Sequence, residues 1–277
     1  AYHYMLNCAL LSLACSSLAA KEASLPNILL ILTDDLGYGD VACYNPESKV
    51  ATPQLDKLAA EGMRFTDAHS PATVCTPTRF SIMTGALCFR IGKSPVFTGA
   101  GGPCLIKDQR LTLPELLKDA GYATALFGKW HIGLTFYDKD GKPIRKGGVK
   151  AVKHIDYSRS IDGGPLDHGF DHFFGTACCP TTDWLYAFIE GDRVVNAPTK
   201  QLDRSGLPKH PYANDNRPGM VADDFDLEHV DLTFLQRSQQ WLREHAAGPP
   251  KTPFFLYHPT QAVHLPSLAA PAYQGKS

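Results

Sequence analysis

Between Pro26 and the pair Asp34-Asp35 lies the run Ile28-Leu29-Leu30-Ile31-Leu32. It is too short for a typical helix and shows no polar alternation. Such a run predicts a strand buried on both faces, as in a parallel sheet.

The rest of the chain supports that architecture. Thr52-Pro53 predicts a helix start, with Thr as N-cap and Pro at the first helical position, and Gly62 predicts its end. Met63 to Thr66 reads as a short strand. Thr112 and Glu115 form a capping-box pattern around Pro114, and Gly121 closes that helix. Ala123 to Phe127 reads as a second buried strand. From Asp224 to Ala247 an amphipathic pattern places Phe234, Leu235, Trp241 and Leu242 at helical spacing. Pro253-Phe254-Phe255-Leu256-Tyr257 reads as a further strand. Strands alternating with helices predict an α/β fold, with a mostly parallel central sheet flanked by helices. Residues 133–220 differ: they are rich in Gly, Pro and charge, and read as a functional insertion with short elements of its own. Lys139, Lys142, Arg145, Lys146, Lys150, Lys153 and Arg159 cluster there, either as a solvated loop or as a basic rim for an anionic ligand.

The formal net charge of −1 gives no global attraction to nucleic acid, and no apolar run is long enough for a transmembrane segment. Met5 to Ala20 is apolar and ends in small residues before Lys21. It reads as a signal peptide over residues 1–20, predicting a periplasmic or secreted protein whose mature portion here is 21–277. Of the eight cysteines, Cys8 and Cys15 fall in that segment. The others are Cys43, Cys75, Cys88, Cys104, Cys178 and Cys179, with no C-x-x-C spacing for structural zinc. In an exported protein disulfides among them are an open expectation.

Four places carry chemistry. Asp34 and Asp35 directly follow the first strand, where open α/β sheets bind ligands. Adjacent carboxylates there suit a hard cation or a capped turn. Cys75 precedes Pro77 and Arg79 at a helix start, where free N–H groups and a guanidinium favour anions. Lys129 and His131 follow the second strand and, in extended backbone, share a face opposite Trp130. His258 and His264 lie around the last strand's end; His264 is the catalytic candidate and His258 is left open.

In this order the segments resemble the sulfatase family of the alkaline phosphatase superfamily. The resemblance runs through PNILLILTDDLGYGD (26–40), ATPQLDKLAAEGMRFTDAH (51–69), CTPTRFSIMTG (75–85), GYATALFGKWHIG (121–133), LDHGFDHFFG (166–175) and PFFLYHPTQAVHLP (253–266). Thr78 departs from the usual Ser or Ala, and Ala86 stands where Arg often follows the T-G, a role Arg90 is a candidate to fill. The resemblance implies that Cys75 is converted to formylglycine by a formylglycine-generating enzyme. The hydrated aldehyde would attack sulfur, and its second hydroxyl would later expel sulfate. It further implies a calcium ion on Asp34, Asp35 and residue 75. Arg79 would hold the formylglycine, Lys129 would bind sulfate, and His131 would act on the hydrate. His264 would contact sulfate and protonate the leaving oxygen.

The family's later Asp-Asn calcium pair and second sulfate-binding Lys have no counterpart here, since Asp215-Asn216 comes too early. The chain therefore resembles the N-terminal part of a longer enzyme, an incomplete sulfatase-like fold with sheet surface left bare. The expected substrate is a sulfated small molecule or glycan. A phosphodiester or phosphonate monoester hydrolase of the same superfamily and a non-catalytic anion- or glycan-binding fragment are the alternatives.

Overall fold

In the computed structural model, residues 25–92, 96–97, 101–107, 109–145, 147–207, 216–248 and 252–276 are described. The segment read as a signal peptide, with Cys8 and Cys15, lies outside them, as do Lys146 and Asp215.

The main sheet is built from β1 (Ile28–Leu32), β2 (Ala123–Lys129), β3 (His172–Thr176), β4 (Ile189–Glu190), β5 (Arg193–Val194) and β6 (Phe254–Pro259). Their order in space is β1-β6-β2-β3-β4-β5, and the first four of these are parallel. In register, Ile28 pairs with Phe255, Phe254 with Ala123, and Ala125 with His172. β4 and β5 close the far edge as antiparallel ribbons. Five helices accompany the sheet among the described residues: α1 (Pro53–Glu61), α2 (Cys75–Thr84), α3 (Leu113–Asp119), α4 (Val149–His154) and α5 (Val230–Ala247).

The local signals for α1 and α3 are realised. Thr52 stands at the N-cap of α1, and Gly62 ends it. At α3, Thr112 Oγ1 accepts from the Glu115 N–H while the Glu115 carboxylate accepts from the Thr112 N–H, as a capping box requires. α5 starts at Val230 rather than Asp224, because 224–229 forms turns ahead of it, and it buries Phe234 and Trp241. The core is strongly aromatic: Phe234 meets Phe174 and Phe188, and Phe170 stacks on Phe255 and Tyr257.

Four expectations change. β1 is not buried on both faces: it is the sheet's edge strand, with Ile28, Leu30 and Leu32 packed on the core and Leu29 and Ile31 more than half exposed. Met63 to Thr66 forms no strand, and Met63 and Phe65 are exposed. The segment 133–220 is not only an insertion, because it contains β3, a core strand. It also holds a separate small sheet of Leu185–Tyr186, Met220–Val221 and Lys200–Gln201. Finally, no disulfide forms among Cys43, Cys75, Cys88, Cys104, Cys178 and Cys179.

Two glycines fix how closely the strands approach. A Cβ on Gly128 would lie 2.0 Å from the Pro259 carbonyl oxygen, and one on Gly175 would lie 1.8 Å from that of Gly128. Only glycine fits there.

Candidate active site

Since β1, β6, β2 and β3 run parallel, their carboxyl ends lie on one side of the sheet, and each chain segment leaving them carries polar side chains. Asp34 and Asp35 leave β1, His264 lies beyond β6, Lys129 ends β2 with His131 two residues past it, and Cys179 follows β3. The fifth contribution is the start of α2, where Cys75 is the first helical residue rather than the one before it.

The β1 and β6 exits are held in mutual register by backbone bonds beyond the strands. Thr260 N–H donates to Leu32 O, Asp34 N–H to Ala262 O, and Val263 N–H to Asp34 O. Asp231, in the first turn of α5, accepts from the N–H groups of Gln261 (2.7 Å) and Ala262 (2.8 Å).

The deepest part is a buried charge cluster. Lys129 (0% exposed) donates to the Asp34 carboxylate, and Arg79 (1% exposed) lies 3.5 Å from the same oxygen. Arg79 also donates to the Lys129 carbonyl oxygen at 2.6 Å. Burial alone would raise the Asp34 carboxyl pKa, but Lys129 and Arg79 outweigh it and hold it below the usual carboxylate value. Lys129 is pushed up despite complete burial, since Cys179 and Asp34 favour its charge more than burial and Arg79 oppose it. Two cations on one carboxylate leave a net positive pocket, suited to an anion.

Beside it lies a thiol–imidazole cluster. Cys179 Sγ is 3.8 Å from His131 Nδ1 and 3.9 Å from His264 Nε2, and it exchanges a hydrogen bond with Cys75. His264 Nε2 is also 3.8 Å from an Asp35 oxygen. Burial disfavours charge on His264, yet hydrogen bonds with Cys179 and Cys75 push the imidazole up to about 11. The Cys179 thiol is driven well below its usual value, chiefly by Cys75 and then, against burial, by Lys129 and His264. His131 is wholly buried and shares a hydrogen bond with the Phe97 carbonyl oxygen. It reaches the cluster through a left-handed backbone (φ 56°), not through the extended geometry expected from sequence. Trp130 turns the other way, donating to Gly133 O and stacking on His168.

A cleft of about 350 Å³ is lined by Asp34, Asp35, Cys75, Thr78 and Arg79 together with Ser70 and Thr73. This tests the implied cation. The two carboxylates facing one cleft are hard oxygen donors of the right kind for calcium, whereas the Cys75 thiol is a soft one, so the residues present supply only part of its oxygen shell. Asp34 would be shared between the ion and Lys129.

The remaining candidates fall outside. His258 is buried on β6 against Ser238 of α5 (2.8 Å), and burial lowers its pKa, so it serves the sheet–helix interface. Arg90 is exposed over the Phe89 ring and does not line the cleft. Thr78 Oγ1 donates to Val74 O and Ala72 O, bracing the start of α2. Asn216 is buried and donates to Thr181 O, steadying the loop after β3. In that loop Asp183 accepts from Cys179 N–H and from Arg217. Sequence reasoning missed Cys179, although its position just past a parallel strand was the available signal.

The α/β sheet thus brings a C-x-P-x-R helix start and a Lys-x-His segment at the end of β2 to one site, as the sulfatase resemblance implies. The family model described as Sulfatase matches residues 26–277, and the chain belongs to that family. It is 45% identical over 271 residues to arylsulfatase A of Homo sapiens, covering 97% of this chain and 46% of the relative. It is 29% identical over 290 residues to an N-acetylgalactosamine-6-O-sulfatase of Bacteroides thetaiotaomicron, covering 93% of this chain and 52% of the relative. A solved structure from work on the metabolism of multiple glycosaminoglycans by that bacterium superposes with a TM-score of 0.72 at 27% identity, over 92% of this chain and 54% of the other. The chain thus spans about half the length of the relatives it matches. Among the described residues no helix is long and apolar enough to cross a membrane.

Proposed function

We propose that this chain carries the nucleophile and the sulfate-holding groups of a sulfuric ester hydrolase acting on aryl or carbohydrate sulfates. The observation that carries the proposal is the convergence of Cys75, Arg79, Lys129, His131 and His264 on one buried, net positive site. The names of the relatives support the substrate class.

The residues divide the work. Lys129 and Arg79, held by Asp34 and by the Lys129 carbonyl, present preorganised positive charge that needs no reorganisation when an anion arrives. Arg79 also fixes the first turn of α2, and with it residue 75, against the end of β2. His264 Nε2 holds a proton beside residue 75 at neutral pH, placed to pass it to a departing alkoxide oxygen. His131 faces the same thiol cluster from the opposite side, and its contact with the Phe97 carbonyl oxygen orients its ring. A formylglycine at residue 75, installed by a formylglycine-generating enzyme, would supply a gem-diol nucleophile that a thiol cannot replace. Asp34, Asp35 and residue 75 would hold calcium, which would align that nucleophile and offset sulfate charge. Export to the periplasm or outside the cell belongs to the same reading, because the apolar segment Met5 to Ala20 has the pattern of a signal peptide.

The test is coexpression with a formylglycine-generating enzyme, peptide mass spectrometry across residue 75, and sulfate release from an aryl sulfate with calcium present. Aldehyde at residue 75 with turnover lost in Lys129→Met supports the proposal. Aldehyde with faster cleavage of an aryl phosphodiester than of the sulfate would replace it with the phosphoesterase reading.

A further inference from the structure

The thiol form of the site holds an unusual set of donors. Cys75 Sγ, Cys179 Sγ and His264 Nε2 all lie within 4.8 Å of one another. They come from three separate elements: the start of α2, the loop after β3 and the loop after β6. His264 is oriented for ligation, because its Nδ1 lies 2.6 Å from the Leu265 carbonyl oxygen and must donate to it. That leaves Nε2 facing both sulfurs, the arrangement in which a histidine's second nitrogen is fixed by a backbone acceptor. An Asp35 oxygen 3.8 Å from Nε2 can fill a fourth position. Two sulfurs and an imidazole are soft and borderline donors, which select zinc-like ions and not calcium. Two thiolates neutralise a divalent ion, Asp34 compensates Lys129, and the Asp35 carboxylate beside His264 offsets the remaining charge of Arg79.

We propose that the unconverted chain binds one soft divalent cation, zinc in the first instance, through Cys75, Cys179 and His264, with Asp35 or water completing a tetrahedron. Binding displaces to solvent the protons these donors carry. The site belongs to the thiol form alone. Replacement of the Cys75 sulfur by an aldehyde removes one of its two sulfurs, and this last step rests on the formylglycine reading. The ion and the mature nucleophile are then mutually exclusive states of one pocket.

A second donor group, His131, Cys179 and Asp183, shares Cys179 and is the competing arrangement. There Asp183 is already engaged by Cys179 N–H and Arg217.

The experiment uses the full chain expressed without conversion, with the Cys75 thiol verified by mass and metal stripped by a chelator. Cobalt(II) is added as a spectroscopic probe and zinc as its competitor. The expected result is one equivalent of cobalt with thiolate-to-cobalt absorption and tetrahedral visible bands, bleached by zinc. Cys75→Ala and Cys179→Ala should each weaken that absorption, while Cys178→Ala and Asp183→Asn keep it. Because a variant can fail to fold, alkylation of the wild-type chain is read in parallel. At zinc about ten times its dissociation constant, modification of Cys75 and of Cys179 should slow together by about tenfold, with Cys43 unchanged. Absence of thiolate–cobalt absorption in the folded chain would overturn the proposal. So would protection of Cys179 without Cys75, which places the ion on His131 and Asp183. A preparation bearing aldehyde at residue 75 should lose the two-sulfur signature, and retention of it would overturn the exclusivity. If no aldehyde form can be made, the formylglycine reading fails while the metal proposal is still decided on the thiol form.

Discussion

Asp34 sits between two buried cations, and its loss should be among the most damaging single changes outside the apolar core. Lys129 and Arg79 are 0% and 1% exposed, so neither can turn to water if the carboxylate is neutralised. Asp34→Asn keeps shape and removes one charge. At the 3.5 Å separation from Arg79, an effective dielectric near 20 gives a gross attraction of about 4–5 kcal/mol. Stranding a partner of a buried pair costs about 3–5 kcal/mol. Against a total stability of about 5–15 kcal/mol, that is about a fifth of the whole or more. Urea unfolding with a chelator present isolates this effect from any calcium. The matching surface control is Glu61→Gln, since Lys57 and Glu61 lie 3.8 Å apart on α1 with both side chains 67% exposed. It should cost under about 0.5 kcal/mol. In Asp34→Asn with Lys129→Met, only one stranded cation remains, so the double variant should lose less than the sum of the singles. An Asp34→Asn chain within about 0.5 kcal/mol of wild type would refute the claim that this carboxylate offsets the charge of the two buried cations.

The Asp34 carboxyl titrates below its unfolded value, so its stabilisation is present above about pH 4 and fades as pH falls through the folded value; acid titration of stability should be flatter in Asp34→Asn. His264 has the opposite sign: raised to about 11, it stabilises fully below about pH 6.5 and loses that contribution as pH rises toward 11. The melting-temperature gap between wild type and His264→Gln should therefore shrink steadily from neutral to alkaline pH. Gly175→Ala would place a Cβ 1.8 Å from a backbone oxygen, so the strands must separate, and a loss above about 3 kcal/mol or insoluble expression is expected. In a converted, active preparation, Lys129→Met should lower turnover of an aryl sulfate by about 100- to 1000-fold, the cost of removing one preorganised charge partner. Ser238→Ala, beside His258, should leave that turnover within about twofold if His258 is structural, as rate assays on the two variants would show.

The sequence is most readable where the signal is local. The Thr112–Glu115 capping box, Thr52-Pro53 and the apolar run after Ala123 depend on neighbours a few residues away, and each formed where expected. Burial on the second face of β1 depends instead on what lies across the sheet, and the run Ile28 to Leu32 cannot report that. The His131 backbone breaks the extended pattern for the same kind of reason: the chain turns to meet Ala177, whose carbonyl oxygen accepts the His131 N–H. Cys179 was hidden by composition. A strand of five residues inside a Gly- and Pro-rich segment looked like loop, so the rule that ligand-binding groups follow parallel strands was applied to β1, β2 and β6 and not to β3.

The position of β1 also explains why the two halves of the site differ in rigidity. Lys129, Arg79 and His131 stand over the interior strands, dry and hydrogen-bonded, with nowhere to rotate. Asp35 leaves the edge strand, its side chain is more than half exposed, and its φ of 59° turns it toward the cleft mouth. An anion entering this pocket meets positive charge already in place, whereas a hard cation must recruit a solvent-exposed carboxylate and share Asp34 with Lys129. Anion recognition should therefore survive chelation, with calcium needed for turnover more than for binding. Sulfate protection of the chain against thermal unfolding, measured with and without chelator, tests this directly. Equal protection is expected, and protection that vanishes with calcium would mean that the ion, and not the Lys129–Arg79 pair, holds the anion.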